Sequence, residues 1–276
     1  MKIKLVALFV LICVLFAGCG NSKDEQKTPS SSSSSAEETS ETASVSAQQG
    51  SGLVPESSVV DKSYFDDAAF VGDSVSLKLN YYNASTGVFG NAKFFTSGSL
   101  GAANALWDIS SESVHPSYQG TKTLIEDCVA LSGAKKVFIM LGMNDIGLYG
   151  MEESIENYKE LIGRILEKSP DVVIFVQSMT PITSNSSRAN GSLNNDTIRE
   201  YNGMLLEMCE EMGWYYLDVA EVLYDDNGAL RQSYCSDAES MGMHFTNEGC
   251  QKWADYLKCH AINAEAYPDT TPEAVG

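Results

Sequence analysis

Three polar stretches carry side chains that acyl-transfer chemistry uses, and each follows a run of apolar residues. In the first, apolar residues 68–71 lead into Gly72, Asp73 and Ser74. An apolar run of this length that ends in glycine predicts a buried strand. Ser74 would then lie in the first turn of the next helix, where its backbone N–H has no helical partner. A hydroxyl beside a free N–H suits attack on an acyl carbonyl, although Asp73 or Ser74 could instead serve only as a helix cap.

The second and third stretches could supply hydrogen-bond donors. Residues 94–101 are strand-like and end in a loop whose glycines, Gly98 and Gly101, would let backbone N–H groups face a ligand. Residues 137–145 end in Gly-Met-Asn-Asp. The Asn144 amide would therefore stand at the carboxyl edge of a sheet, where ligands bind in open α/β folds. A turn stabilised by Asn144 and the next residue is the simpler alternative.

One histidine has the setting of a general base. Of the three in the chain, His115 precedes a proline in a polar loop, and His260 lies late in the last predicted helix. His244 stands just before that helix, which Thr246 can cap. A base close to Ser74 is needed to take its proton, so His244 is the best candidate.

In their order along residues 60–265, these three stretches and the segment that begins at His244 resemble the four sequence blocks of the SGNH/GDSL hydrolase family. Gly72–Ser74 resembles the first block, Gly98–Gly101 the second, Gly142–Asp145 the third, and the segment from His244 to Gly249 the last. No Gly-x-Ser-x-Gly motif occurs, which disfavours the α/β-hydrolase fold.

The resemblance implies a role for each matched residue. Ser74 would be the nucleophile and His244 its general base. The backbone N–H groups of Ser74 and Gly101 and the side chain of Asn144 would form the oxyanion hole, with Gly98 as the second choice for the glycine. The resemblance also implies ester hydrolysis through an acyl-enzyme, without a cofactor or a metal.

The group that orients His244 is left open by the sequence. The family usually has an aspartate three residues before the histidine, and Met241 occupies that position here. Asp237 and Glu239 lie seven and five residues before His244, and either could reach the imidazole if the loop is longer. A backbone carbonyl could orient the ring instead, which would make a Ser–His dyad. We favour the dyad, because neither acid has the family spacing.

Strand-like and helix-like segments alternate after residue 60, which predicts a parallel sheet with right-handed crossovers. We expect a three-layer α/β/α sandwich with a five-stranded parallel sheet, in the flavodoxin-like arrangement that the resemblance implies. The strands are predicted at 68–71, 92–96, 136–141, 172–177 and 214–217, and the helices near 75–82, 121–131, 152–168, 196–212 and 247–262.

The N-terminal residues 1–19 have the proportions of a signal peptide, with two lysines before an apolar run. Their ending, Phe-Ala-Gly-Cys, resembles a bacterial lipoprotein signal in which Cys19 carries the lipid. An uncleaved anchor or an ordinary secretory signal are the alternatives. Residues 20–58 have the composition of a disordered Ser/Glu-rich tether. We then expect the hydrolase domain at 59–267, a flexible tail at 268–276, and a monomer anchored on the outer face of the cytoplasmic membrane.

Charge and cysteine content limit the partners. The formal net charge is −19, and 31 of the 37 acids but only 14 of the 18 bases follow Ser58. A domain of this charge repels nucleic acid. No Cys/His spacing indicates zinc. Five cysteines follow Cys19, so at least one has no intramolecular partner, and Cys235 could form a disulfide with Cys250.

The expected substrates are short O-acyl groups on carbohydrate or a small lipid ester. Asn, Ser and Tyr are frequent in the loops at 81–90 and 183–195, which leans slightly toward sugar contacts. The alternative from another class is a non-catalytic, carbohydrate-binding surface lipoprotein that kept the fold. The absence of an aspartate at Met241 is its best support.

Overall fold

Eight strands and six α-helices alternate along residues 52–267, the part of the chain that the computed structural model describes. The strands are β1 Gly52–Leu53, β2 Ala68–Gly72, β3 Lys93–Thr96, β4 Ser117–Tyr118, β5 Thr121–Lys122, β6 Lys136–Met140, β7 Val173–Gln177 and β8 Tyr215–Leu217. The helices are α1 Ser74–Thr86, α2 Ala102–Ala105, α3 Ile125–Ser132, α4 Ile146–Lys168, α5 Asn195–Met212 and α6 Asn247–Lys258.

Six of these strands form one parallel sheet in the order β1-β8-β7-β6-β2-β3, while β4 and β5 form a separate antiparallel pair. Because the six strands run in the same direction, their carboxyl ends meet at one edge of the sheet. The loops that leave β2, β3, β6 and β8 at this edge lead to Ser74, Gly98, Asn144 and His244.

A row of aromatic rings runs across one face of the sheet. Phe94, Phe70, Phe138, Phe175 and Tyr215 stand side by side on five neighbouring strands, each paired with the next in register. Successive ring centroids are 4.7, 4.9, 4.6 and 5.2 Å apart, and the rings are nearly parallel. Such cross-strand pairs stabilise both the sheet and its register, which fixes the relative heights of the strand ends.

Helices cover both faces of the sheet. Helix α1 packs against α6, and α4 packs against α3 and α5. Every residue of β2 and β6 is buried, as expected for central strands with a helical layer on each side. The predicted three-layer α/β/α sandwich is therefore confirmed.

The sheet has a sixth strand that the sequence did not predict. Gly52–Leu53 pairs in parallel with β8, and Val54, which follows it, is buried. Ser57 N–H donates a hydrogen bond to the carbonyl of Cys259 at 2.7 Å. The predicted count of five strands and the predicted boundary at residue 58 are thus wrong, because residues 52–58 belong to the domain. A two-residue strand that pairs with a segment far along the chain leaves no local pattern to read.

Two predicted helix ends and two predicted helix starts also differ. Helix α1 ends at Thr86 rather than at 82, and α6 ends at Lys258 rather than at 262. Helix α3 begins at Ile125 rather than at 121, because Thr121–Lys122 pairs with Ser117–Tyr118. Helix α4 begins at Ile146 rather than at 152, with a break at Gly150, where φ is 78°. Glycine tolerates this backbone conformation, so the chain turns there and continues as helix.

None of the helices within residues 52–267 is long and apolar enough to cross a membrane. The predicted signal peptide with Cys19, most of the predicted tether and the predicted tail at 268–276 lie outside the described residues.

Removal of residues 52–58 should destabilise the domain. We expect a chain of residues 59–276 to have a free energy of unfolding lower by about 2 kcal/mol or more than a chain of residues 52–276, because burial of a valine side chain alone contributes about that much. Urea denaturation of both chains measures the difference, and Val54→Ala in the longer chain isolates the share of that side chain. Equal unfolding midpoints for the two chains would contradict the assignment of residues 52–58 to the domain.

Candidate active site

Ser74 is the first residue of α1 and follows directly from the turn after β2. The side chain of Asp73 caps the helix by accepting a hydrogen bond from the N–H of Val75 at 2.9 Å. A Cβ atom on Gly72 would lie 2.1 Å from the Ser76 hydroxyl oxygen, so the tight passage from strand to helix requires glycine. Asp73 therefore performs the capping, and the Ser74 hydroxyl is left for another partner.

That partner is His244. The Ser74 Oγ lies 3.0 Å from His244 Nε2, and His244 Nδ1 lies 2.8 Å from Asp237 Oδ2. The three side chains form one hydrogen-bonded chain, with the imidazole and the carboxylate each about one-fifth to one-quarter exposed. A hydroxyl, an imidazole and a carboxylate in this order can pass a proton from oxygen to nitrogen and stabilise the imidazolium that results.

A narrow hairpin carries Asp237 beneath the imidazole. Cys235 and Phe245 form an antiparallel bridge, and Ser236 N–H donates to the carbonyl of His244 at 2.8 Å. Within this hairpin, Asp237 Oδ1 accepts hydrogen bonds from the backbone N–H groups of Met243 and His244, at 3.0 and 3.1 Å. The carboxylate thus holds both the ring and the backbone of the histidine.

The expectation of a backbone carbonyl behind His244, and with it the preference for a dyad, is wrong. A carboxylate occupies that position because the hairpin brings residue 237 to the ring from seven positions away. Glu239, the other acid of the loop, is exposed and makes no hydrogen bond or ion pair with any residue of the described part of the chain.

The environment of Asp237 keeps it ionised. Burial alone would raise its pKa, but hydrogen bonds from His244 and from the Cys235 thiol outweigh this effect, and the pKa is lowered. Cys235 Sγ lies 3.2 Å from Asp237 Oδ1. Cys235 and Cys250 are both free thiols, so the disulfide considered from the sequence is not formed.

The backbone N–H of Gly101 already has a hydrogen-bond partner. Its N–H donates to the side-chain oxygen of Asn104 at 2.9 Å. A Cβ atom at Gly101 would lie 2.6 Å from the carboxylate oxygens of Asp145, so glycine is required there for close packing. The expected role of Gly101 as an oxyanion donor is therefore not supported by its position.

Gly98, the second choice from the sequence, is the glycine at the site. It lines a cavity of about 250 Å³ together with Ser74, Asn144 and His244. Its N–H has no acceptor among residues 52–267. The next residue, Ser99, has φ of 61°, a left-handed conformation uncommon for non-glycine residues. Gly98, but not Gly101, therefore lines the cavity that contains Ser74.

Asn144 also lines this cavity. Its side-chain nitrogen donates to the carbonyl of Leu100 at 2.9 Å, which ties the loop after β6 to the loop after β3. The second contact of this nitrogen, to Asp73 Oδ2, is long at 3.5 Å. One N–H of the amide is thus held in place, while the other is only weakly engaged and is available to a ligand.

Two buried carboxylates hold the loops around the cavity. Asp145 accepts hydrogen bonds from the N–H groups of Ala102 and Ala103, at 3.1 and 3.0 Å. The loop after β6 is therefore bonded to the first turn of α2. Asp73 caps α1. Burial raises the pKa of both acids, that of Asp73 to about 6. Their role is to position backbone segments.

The other two histidines lie elsewhere. His115 Nε2 lies 2.9 Å from the carbonyl of Trp107, and His260 stacks on Tyr256. No group of three or more histidine, cysteine or acidic side chains in residues 52–267 is arranged to hold a metal ion.

Arg188 is a site residue that the sequence reasoning missed. It lines the cavity that contains Ser74 and His244, although it belongs to the loop between β7 and α5. The sequence marks Arg188 only by composition, because it is the one charged residue between 183 and 195 in a loop of mostly Ser and Asn.

Comparisons with known proteins place the sequence in a family. Residues 70–252 match the model of the GDSL-like lipase/acylhydrolase family. No curated protein matches the sequence.

Several solved structures are similar to this chain. One from Streptococcus pneumonia, described as a platelet activating factor, shares 19% identity over 70% of this chain and 82% of its own, with a TM-score of 0.53. A GDSL-like lipase from Bacteroides thetaiotaomicron shares 13% identity over 69% and 85%, with a TM-score of 0.49. The catalytic domain of peptidoglycan O-acetyltransferase A from Streptococcus pneumoniae shares 13% over 78% and 98%, with a TM-score of 0.45. At this identity, the first supports the fold alone.

Substitution of the two loop acids separates their roles. We expect Asp237→Asn to lower kcat for ester hydrolysis by on the order of 10⁴, the loss seen when the carboxylate of a serine-protease triad is replaced. Glu239→Gln, the matched control in the same loop, should stay within about twofold of the unchanged protein, because Glu239 does not touch the imidazole. The rates are measured with 4-nitrophenyl acetate, and circular dichroism checks the fold. Nearly full activity of Asp237→Asn would show that the carboxylate does not orient the base.

Proposed function

This chain belongs to the GDSL-like lipase/acylhydrolase family, and on that premise we propose that it hydrolyses esters through an acyl-enzyme formed on Ser74. The family membership makes the protein an ester hydrolase, and the assignment of roles to its residues is our proposal. The observation that carries it is the hydrogen-bonded chain from the Ser74 hydroxyl through His244 to Asp237.

The reaction begins with proton transfer. His244 Nε2 takes the proton of Ser74 as the hydroxyl oxygen attacks the ester carbonyl. The carboxylate of Asp237 keeps Nδ1 protonated and stabilises the imidazolium. His244 then protonates the leaving alcohol, and the acyl group stays on Ser74. A water molecule, deprotonated by His244, attacks the acyl-enzyme and releases the acid.

The negative charge on the carbonyl oxygen requires donors. In our proposal, these are the backbone N–H groups of Ser74 and Gly98 and the side-chain amide of Asn144. All three residues line the same cavity, and loss of one such donor typically raises the barrier by about 2.7–4 kcal/mol. Nucleophile, base and donors are all supplied by the chain, so the proposed reaction needs no cofactor.

The alternative of a non-catalytic, carbohydrate-binding protein loses its main support. That support was Met241 at the position of the family's aspartate, and Asp237 now lies against His244 instead. Ser74 and His244 are within hydrogen-bond distance, which is the first requirement of a nucleophile and its base. Turnover of 4-nitrophenyl acetate by residues 52–276 distinguishes the two functions.

For the substrate, we propose short O-acyl groups on carbohydrate, with small lipid esters as the second choice. The cavity at Ser74 has a volume of about 250 Å³, which suits a short acyl group better than a long chain. Serine and asparagine are frequent in the loop at 183–195 beside it, and such side chains can hydrogen-bond to sugar hydroxyls.

For the location, we propose a monomer held on the outer face of the cytoplasmic membrane by a lipid on Cys19. The support is the sequence of residues 1–19 alone, with its basic start, apolar run and Phe-Ala-Gly-Cys ending. Residues 20–51 would then link the lipid to the domain that begins near Gly52.

Replacement of the nucleophile tests the proposed reaction. Ser74→Ala should reduce hydrolysis of 4-nitrophenyl acetate by at least about 10³-fold, because no acyl-enzyme can form. A fluorophosphonate probe should label Ser74 in the unchanged protein and should leave Ser74→Ala unlabelled. Ser76→Ala, two residues along the same helix, is the matched control and should keep its activity. Near-normal turnover by a folded Ser74→Ala would rule out Ser74 as the nucleophile.

Replacement of Cys19 tests the location. Cys19→Ala should abolish incorporation of radiolabelled fatty acid, and the protein should be released into the medium or stay unprocessed, because the thiol that would carry the lipid is gone. Cell fractionation measures the distribution, with Cys13→Ala as the control. Unchanged membrane attachment of Cys19→Ala would indicate a plain N-terminal anchor.

A further inference from the structure

A second cavity, of about 460 Å³, adjoins the cavity at Ser74. The two share Met143, Asn144 and Arg188 in their walls. A substrate whose ester carbon lies at Ser74 can therefore extend past these residues toward the second cavity. The rest of its wall comes from the start of α4 and from the loop before α5.

Arg188 brings an uncompensated positive charge to both cavities. Its exposed guanidinium has no hydrogen bond or ion pair with any other group in residues 52–267. The three other arginines are engaged, Arg164 with Glu160, Arg199 with Asp196 and Arg231 with a backbone carbonyl; all of these lie in the described part of the chain.

The walls around Arg188 lack acidic side chains, although the domain is strongly acidic. Of the residues after Ser58, 31 are acids and 14 are bases, yet no aspartate or glutamate lines either cavity among the described residues. A guanidinium in such surroundings attracts anions, because no carboxylate of the protein competes for it. Its planar fork matches a carboxylate or a phosphate.

The backbone of Arg188 is held in a fixed place relative to the reacting groups. Its N–H donates to the Ser186 hydroxyl oxygen at 3.1 Å, and that hydroxyl donates to the carbonyl of Met241 at 2.6 Å. Ser187 N–H donates to the carbonyl of Ser240 at 2.8 Å. The segment that carries Arg188 is thus joined to the hairpin that carries Asp237 and His244.

The second cavity also offers apolar and hydroxyl contacts. Leu148 is 78% exposed at its wall, and Met143 and Leu193 contribute further apolar surface. Ser187 and Ser192 line the same wall and carry hydroxyls. A group with an apolar portion and a negative charge satisfies both kinds of surface, whereas a purely apolar chain would leave the guanidinium without a partner.

We propose that Arg188 binds an anionic group of the substrate, a carboxylate or a phosphate, next to the ester that Ser74 attacks. This inference rests on the proposed function and adds to it a preference for negatively charged esters. Arg188 is a specificity residue in this proposal, because it holds a part of the substrate that does not react. An anionic ester should accordingly be hydrolysed with a higher kcat/KM than a neutral ester of the same shape.

Matched ester pairs test the charge preference. 4-Acetoxybenzoate and 4-acetoxybenzamide have nearly the same shape but differ by one charge, and 4-acetoxyphenyl phosphate replaces the carboxylate with a phosphate. Mono-4-nitrophenyl succinate and 4-nitrophenyl pentanoate form a second pair, with the charge in the acyl group. The carboxylate and phosphate arms distinguish the two anions, and the two pairs distinguish the alcohol side from the acyl side.

We expect Arg188→Gln to lower kcat/KM about tenfold or more for at least one anionic ester, since a hydrogen bond to a charged group is worth about that factor. The neutral partner should change less than about twofold. Arg188→Lys should retain part of the preference as a point charge, and added salt should weaken it. Arg199→Gln removes the same charge outside both cavities and should leave the preference unchanged.

The outcomes separate this inference from the proposed function. If the unchanged protein hydrolyses neutral esters in a Ser74-dependent way, but Arg188→Gln affects charged and neutral esters equally in both pairs, the anion site is refuted and the esterase stands. Equal effects of Arg188→Gln and Arg199→Gln on the anionic esters would refute it too, because they would indicate only the overall charge. Ester hydrolysis that persists in Ser74→Ala, or is absent from the unchanged protein, refutes the proposed function and with it the premise for Arg188.

Discussion

The carboxylate of Asp237 is the interaction on which the active site depends. One of its oxygens accepts from the imidazole of His244, and the other accepts from two backbone N–H groups of the same hairpin. A single side chain therefore fixes the loop, the ring orientation and the ring tautomer together. The imidazole can then meet Ser74, which stands on a different element, at hydrogen-bond distance. Without that carboxylate, a flexible hairpin would have to find the same geometry by chance, at a cost in conformational entropy.

The remaining loops at this edge of the sheet are held by buried polar side chains rather than by apolar packing alone. Asp145 joins the loop after β6 to the helix after β3, and Asn144 joins the same two loops through the carbonyl of Leu100. Backbone N–H groups that donate to the two buried carboxylates keep them in place, one to Asp73 and two to Asp145. The parallel sheet brings the carboxyl ends of its strands to one edge. The hydrogen bonds of these side chains then fix the loops that carry the proposed oxyanion donors.

Hydrogen bonds also join the loop that carries Arg188 to the catalytic hairpin. The loop at 183–187 is bound to the hairpin at 236–243 by Thr183, whose hydroxyl donates to the carbonyl of Ala238, and by Ser186 and Ser187. The hairpin at 236–243 and the loop at 183–187 are therefore joined, and Arg188, the next residue of that loop, lines both cavities. A charge placed on this unit can select a substrate without being part of the proton transfer.

The sequence by itself determined the α/β class, the central strands and the positions of Ser74, Asn144 and His244. Each of these depends on a local pattern, a buried strand followed by a short polar motif, and a local pattern can be recognised in the amino-acid sequence alone. The tertiary structure brought the carboxylate of Asp237, rather than Glu239 or a backbone carbonyl, to His244. It put Gly98, rather than Gly101, in the wall of the cavity that contains Ser74, and it added the edge strand Gly52–Leu53 to the sheet. It also brought Arg188 to the site. These choices depend on irregular loops and on pairings between distant segments, such as Cys235 with Phe245 and β1 with β8, whose geometry is set by long-range contacts that no local spacing encodes.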